Sequence, residues 1–152
     1  MDYRLHSETP CTTLPYYTAQ YNTRDYSMGN KARLAADLDR HLPLKTQWFH
    51  ILLALSEEAQ HGSGIVRSVL QQTDGKLRLW PATLYGSLED LVALGWIEEL
   101  TDHSERPEGE SEKKRFYRIK PDGARVLAAE ADRLQGLARA ALDRVGSGNF
   151  AQ

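Results

Sequence analysis

The sequence predicts a mainly α, α+β fold: a group of short helices, a small antiparallel sheet and one long C-terminal helix. Three observations predict it. Apolar residues recur at helical spacing in four separate stretches before residue 95. Two β-prone runs, 96–101 and 115–119, flank a polar segment, 102–112, that contains Pro107 and Gly109. From Leu127 to Val145, apolar residues repeat at steps alternating near four and three, a seam that seeks a partner helix.

Residues 1–29 hold five of the seven tyrosines among Thr, Ser, Pro and Asn, with no periodicity, and read as a flexible arm. Met28 precedes a clean helical pattern and is a candidate translation start. Residues 31–41 read as a short helix, with Leu34, Leu38 and Leu42 at i, i+4, i+8, interrupted by Pro43. A second helix over 45–58 is apolar on most sides, with Trp48, Phe49, Ile51, Leu52, Leu53 and Leu55. In a small domain such a helix needs cover on two faces. This makes Trp48 and Leu52 candidates for a dimer contact. A third helix over 64–73 turns Ile65, Val69 and Leu70 inward, and Ser63 or His61 stands where its cap belongs. Asp74-Gly75 is a turn signal, and Lys76–Leu79 alternates charge with leucine as a very short strand does.

The stretch from Trp80 to Gly95, WPATLYGSLEDLVALG, carries the strongest functional signal. Pro81 suits a first helical position, and Gly95 suits a left-handed helix end. Leu84, Leu88 and Leu91 form the buried face. The first turns otherwise carry small or hydroxyl-bearing residues, Ala82, Thr83, Gly86 and Ser87, together with Tyr85. A helix with a small, uncharged N-terminal half can approach another surface closely, and its amide end favours an anion. A helix that enters a DNA groove by its first residues is built this way.

Charge is segregated around the polar hairpin. From Glu98 to Glu112 there are seven acids against one base, Arg106; from Lys113 to Lys120 there are five bases and no acid. With Lys76 and Arg78, the candidates Lys113, Lys114 and Arg115 make a basic stripe suited to DNA phosphates. Helix, turn, short strand, helix and then a hairpin is the layout of a winged helix-turn-helix domain, 30–120, with an extra N-terminal helix. The last helix, 121–145, opens on Pro121 and Asp122. Its seam of Leu127, Leu134, Leu137, Ala138, Ala141, Leu142 and Val145 predicts dimerisation, with residues 146–152 left as a tail.

Composition narrows the function classes. A length of 152 residues is one domain's worth, and the single Cys11 excludes a disulfide framework or a thiolate metal cluster within the chain. No apolar run reaches spanning length and no basic-then-apolar leader opens the chain, so a cytoplasmic protein is expected. The net charge of -2 argues against indiscriminate polyanion binding. His61-Gly62-Ser63-Gly64 lacks the frame of a hydrolase nucleophile elbow, and the five histidines form no ligand-spaced pair. Neither an enzyme, a metal site nor a cofactor is expected.

Four segments in order carry a family resemblance: LPLKTQWFHILLAL, HGSGI, WPATLYGSLEDLVALGWIEE and KKRFYRIKPDGARVLAAEADRL. Over residues 42–145 they resemble the PadR family of bacterial transcriptional regulators. The resemblance implies a winged-helix repressor that dimerises through its C-terminal helix and loosens from its promoter when an effector binds or stress intervenes. It implies that Thr83 and Tyr85 lie at the DNA surface and that Lys113, Lys114 and Arg115 match the basic start of the second wing strand. Two departures stand out. Ala82 replaces the usual Gly of the family's Pro-Gly-Thr-Leu-Tyr, and the wing tip is acidic. The expected partners are a double-stranded DNA operator, a second copy of the chain and a small-molecule effector, held between the Trp48 helix and the partner's C-terminal helix. The competing expectation is a winged-helix module that binds another protein and no DNA.

Overall fold

The computed structural model describes residues 40–102, 105 and 114–147. The arm at 1–29, most of the expected 31–41 helix, the bulk of the hairpin loop, Lys113 and the end of the tail lie outside the described residues. The elements run α1 (Thr46–Leu55), β1 (Gln60–His61), α2 (Gly62–Gln72), α3 (Pro81–Ala93), β2 (Ile97–Leu100), β3 (Phe116–Ile119) and α4 (Pro121–Ser147). The three strands form an antiparallel sheet in the order β1-β3-β2. This is a winged helix with a long C-terminal helix.

Local chemistry accounts for most boundaries. α2 starts at His61, whose imidazole Nδ1 accepts from the Gly64 N–H at 3.1 Å. Of the two candidate caps, His61 takes the role, and Ser63 Oγ lies 2.8 Å from the same nitrogen. Because a backbone N–H can only donate, Nδ1 is the acceptor and the neutral ring carries its proton on Nε2. α2 ends in a turn at Asp74 and Gly75, with φ of 50° and 76°. There the Thr73 hydroxyl donates to Val69 O and accepts from Leu77 N–H. α3 has Pro81 at its first position and stops at Gly95, whose φ of 72° is the left-handed value that glycine tolerates best.

The expected strand at 76–79 is not formed; those residues are a connection without regular secondary structure between α2 and α3. The third strand comes instead from Gln60–His61, which pairs with Tyr117 and Phe116 on the free edge of β3. β3 has two edges, and β1 and β2 occupy both, so the place beside β3 expected for 76–79 is taken by Gln60–His61.

The core lies between α1, α2, α3, the sheet and the first turns of α4. It is filled by Ile51, Leu52, Leu55, Ile65, Val69, Leu88, Leu91, Ile97 and Val126. Ala54 is also fully covered, so α1 is sheltered by its own domain. Leu52, expected at a dimer contact, is 0% exposed, and Leu127 is 7% exposed against the same core. Both expectations are corrected: these side chains are already covered within one chain. Trp48 is half-buried, edge-on to Trp96 with centroids 5.8 Å apart, and the Lys45 ammonium sits 4.2 Å from its ring centroid.

α4 is clamped to this core over its first turns. The Lys120 N–H donates to Trp96 O at 2.8 Å. Any Cβ at Gly123 would collide with that same carbonyl, so the helix approaches this closely only because position 123 is glycine. Glu130, 3% exposed, takes the Arg133 guanidinium through hydrogen bonds of 2.8 and 2.6 Å. These bonds first, and the Leu44 backbone N–H second, hold the Glu130 carboxyl below its ordinary pKa despite burial. Past this point α4 leaves its domain. Leu134, Leu137, Leu142 and Val145 are all exposed, Leu142 to 72%.

Candidate nucleic-acid interface

The exposed start of α3 and the base of the wing meet at one surface. Trp80, Pro81, Ala82, Thr83, Tyr85 and Gly86 are all exposed, while Leu84, Leu88 and Leu91 anchor the helix from beneath. A Cβ at Gly86 would meet nothing, which leaves this face as low as the sequence implies. Ser87, expected as a DNA-facing hydroxyl, is 5% exposed. It sits three residues after Leu84 and four before Leu91, which turns it into the core; that expectation is corrected.

Tyr85 leans over the start of α2. Its hydroxyl lies 3.0 Å from where a Gly62 Cβ would stand, so glycine at 62 makes room for the phenol. An open cleft of about 420 Å³ forms there, lined by His61, Gly62, Ser63, Tyr85, Lys114 and Arg115. It joins Tyr85 of α3 to the first two described bases of the wing. His61, edge-on to Phe116 with centroids 5.3 Å apart, ties the α2 cap to the wing strand. The sequence marks His61 and Ser63 only as capping residues. A two-residue strand carries no periodicity, so no signal marked them as cleft residues.

The charge segregation of the hairpin is partly resolved in pairs across the strands. Glu98 faces Arg118 in register and bonds to it at 2.9 Å, and Glu105 lies 3.4 Å from the same guanidinium. Arg115 lies 3.7 Å from Glu99, with most of its side chain in solvent. A pair so exposed is weak and easily exchanged for a phosphate. The basic strand therefore offers its charge mainly at its start. Burial pushes the Tyr117 phenol up, and the Glu99 carboxylate adds to the effect, so the ring between these charges stays neutral at physiological pH.

Lys76 and Arg78 are exposed on the connection that leads into α3. Arg78 stacks its guanidinium over the Trp80 ring at 4.7 Å from the centroid. Among the described residues no cluster of three His, Cys, Asp or Glu side chains is placed to hold a metal, and no helix is long and apolar enough to cross a membrane.

The helix-turn-helix, the wing and the open tip of α3 together define a winged-helix regulator. The chain belongs to the PadR family: the model of the transcriptional regulator PadR-like family matches residues 51–129. Solved structures show the same fold. A transcriptional regulator from Clostridium thermocellum aligns with a TM-score of 0.53 at 21% identity, over 77% of this chain and 97% of that one. BldR from Sulfolobus solfataricus, a transcriptional regulator, aligns with a TM-score of 0.50 at 20% identity, over 76% and 73%. BpsR from Bordetella bronchiseptica, whose DNA binding is regulated by 6-hydroxynicotinic acid, aligns with a TM-score of 0.50 at 19% identity, over 80% and 82%. No functionally curated protein matches the chain.

Proposed function

We propose that this PadR-family regulator is a repressor that binds a pseudo-palindromic DNA operator as a homodimer, released by a small-molecule effector. The observation that carries the reading is the shared cleft, where the exposed Tyr85 of α3 and the wing bases Lys114 and Arg115 face one space. Ala82 allows close approach, and the hydroxyls of Thr83 and Tyr85 donate to phosphates or base edges. Lys76, Arg78, Lys113, Lys114 and Arg115 act as phosphate ligands. No Arg, Asn or Gln stands in the first two turns of α3, so bidentate reading of guanine or adenine is missing there. Specificity then comes chiefly from half-site spacing and DNA shape.

The dimer is supported by the distal face of α4, where Leu134, Leu137, Leu142 and Val145 are exposed beside the small Ala138 and Ala141. Two copies joined there present their α3 tips about 34 Å apart, one turn of duplex. The half-buried Trp48, with its buried indole N–H lacking a hydrogen-bond partner, suits the wall of an effector site against the partner's α4.

Gel-shift and anisotropy titrations with the protein's own upstream region test the reading. With about three phosphates neutralised per protomer, log affinity falls with log salt at a slope near -5. Lys114→Ala combined with Arg115→Ala weakens binding to all duplexes alike and flattens that slope by about 2 to 4 across the dimer. A slope near zero, or no retardation at micromolar protein, rejects DNA binding and favours the protein-binding alternative.

A further inference from the structure

Among the described residues, two large aromatic side chains are exposed: Trp80 at 61% and Tyr85 at 48%. The other five Trp, Phe and Tyr residues described (Trp48, Phe49, Trp96, Phe116 and Tyr117) are buried or half-buried. Both exposed rings stand at the start of α3. Tyr85 is accounted for by the cleft and by its seat over Gly62. Trp80 is not, and its indole makes no cap hydrogen bond to the helix it precedes. The N-cap work at position 80 is done by the backbone alone, through Leu84 N–H to Trp80 O at 2.9 Å, with no side-chain cap bond.

What the indole does hold is a charge. Arg78 lies over its face at 4.7 Å, and such stacking fixes a guanidinium flat while leaving its in-plane N–H donors available. Flat apolar surface beside a fixed, outward cation is the complement of a nucleotide's sugar–phosphate unit: apolar C–H face on one side, anionic oxygens on the other.

We infer that Trp80 and Arg78 form a stacked platform that grips one deoxyribose-phosphate unit of the duplex at the rim of the groove that α3 enters. The indole packs on the sugar, and Arg78 takes the adjoining phosphate. Two features commit the platform to DNA over a protein partner. Lys76 and Arg78 make the connection into α3 basic, and the platform is continuous in sequence with Pro81, Ala82 and Thr83 at the helix tip. The inference rests on the DNA-binding reading and adds a contact that carries no base preference.

The test uses the full-length protein, a duplex from its own upstream region and a scrambled duplex of equal length. Iodide quenching reports Trp80, since it is the most exposed of the three tryptophans. Trp80→Phe identifies its share of the signal. On binding either duplex, that share becomes shielded from iodide. Trp80→Ala loses about fivefold to tenfold in affinity for both duplexes, as expected for removing one aromatic stacking contact. Trp80→Phe recovers most of the loss, and Arg78→Ala reduces the salt slope by about one per protomer. Far-ultraviolet circular dichroism checks that the variants stay folded.

If wild-type protein binds duplex while Trp80 stays open to iodide and Trp80→Ala binds equally well, the platform is overturned and the DNA reading survives. If Trp80 is shielded by self-association in the absence of DNA, the indole belongs to a protein contact and the platform is likewise overturned. If wild-type protein binds neither duplex, both readings fall together.

Discussion

Two helices of this molecule, α1 and the far half of α4, carry the same surplus of apolar side chains and meet opposite fates. In α1, Ile51, Leu52, Ala54 and Leu55 are covered by α2, α3, the sheet and α4. In α4, cover stops after Glu130, and leucines four to twelve residues further on, with Val145 beyond them, stand in water. The difference lies in where the chain can bring a second surface. α1 sits at the centre of a folded domain, whereas α4 is a 27-residue rod of about 40 Å that outruns the domain it starts from. An apolar stripe states that a face needs cover; it does not state whose chain supplies it.

The comparison breaks most sharply at Leu137 and Leu142. Replacing both by Glu converts a dimer to a monomer, weakening association by at least about 100-fold, since each buried leucine contributes about 1.5–3 kcal/mol. Sedimentation measures this, and the helical signal at 222 nm stays near its wild-type value. A dimer as tight as wild type would end the case for the α4 seam.

Leu52→Ala probes the opposite side. It lowers folding stability in urea by about 2–5 kcal/mol through the cavity it leaves. Once the destabilised fold is populated, the dimer dissociation constant is unchanged. A dimer effect without a stability effect would return Leu52 to the subunit contact.

The border between the two regimes is Glu130, and its test is pH. Its carboxyl is held low in the folded chain, so its stabilisation is complete above the ordinary carboxylate value of 4.5. That stabilisation is lost as pH falls through the lower folded value. Glu130→Gln removes about 1–3 kcal/mol at neutral pH, the range for a hydrogen bond to a charged group. It also flattens the acid limb of the stability curve; equal acid limbs for the two proteins would assign that limb to other groups. The smallest effect belongs to Ser87→Ala, which changes DNA affinity by less than about twofold because the hydroxyl faces the core. A larger loss in the anisotropy titration would put Ser87 back at the interface.

Much of the architecture is legible in the sequence. Pro81 and Gly95 bracket α3 as their backbone preferences require, and Asp74-Gly75 turns as its composition implies. The two wing strands fall within the expected runs. Three readings failed for separate reasons. Lys76–Leu79 has strand alternation, but β3 is flanked by β2 and by Gln60–His61, a strand too short to show any period. Leu52 and Leu127 looked like subunit contacts because periodicity ranks burial without assigning the partner. Ser87 lies three residues after Leu84 and four before Leu91, a spacing that turns it inward whatever its hydroxyl suggests. The cleft residues His61 and Ser63 meet Lys114 and Arg115 only through the pairing of β1 with β3, a contact between segments more than fifty residues apart in the chain.

The join between β3 and α4 has one further consequence. Only Lys120 separates the last wing strand from the rod, and its amide is pinned to Trp96 while Gly123 rests on the same carbonyl. No slack exists there to absorb a tilt. Over a lever of about 40 Å, a 5° change at the far end is roughly 3.5 Å of travel, enough to make or break a hydrogen bond. If two copies pair through these rods as proposed, whatever re-angles them against each other moves both proposed DNA-facing edges at once, with no relay of loops in between.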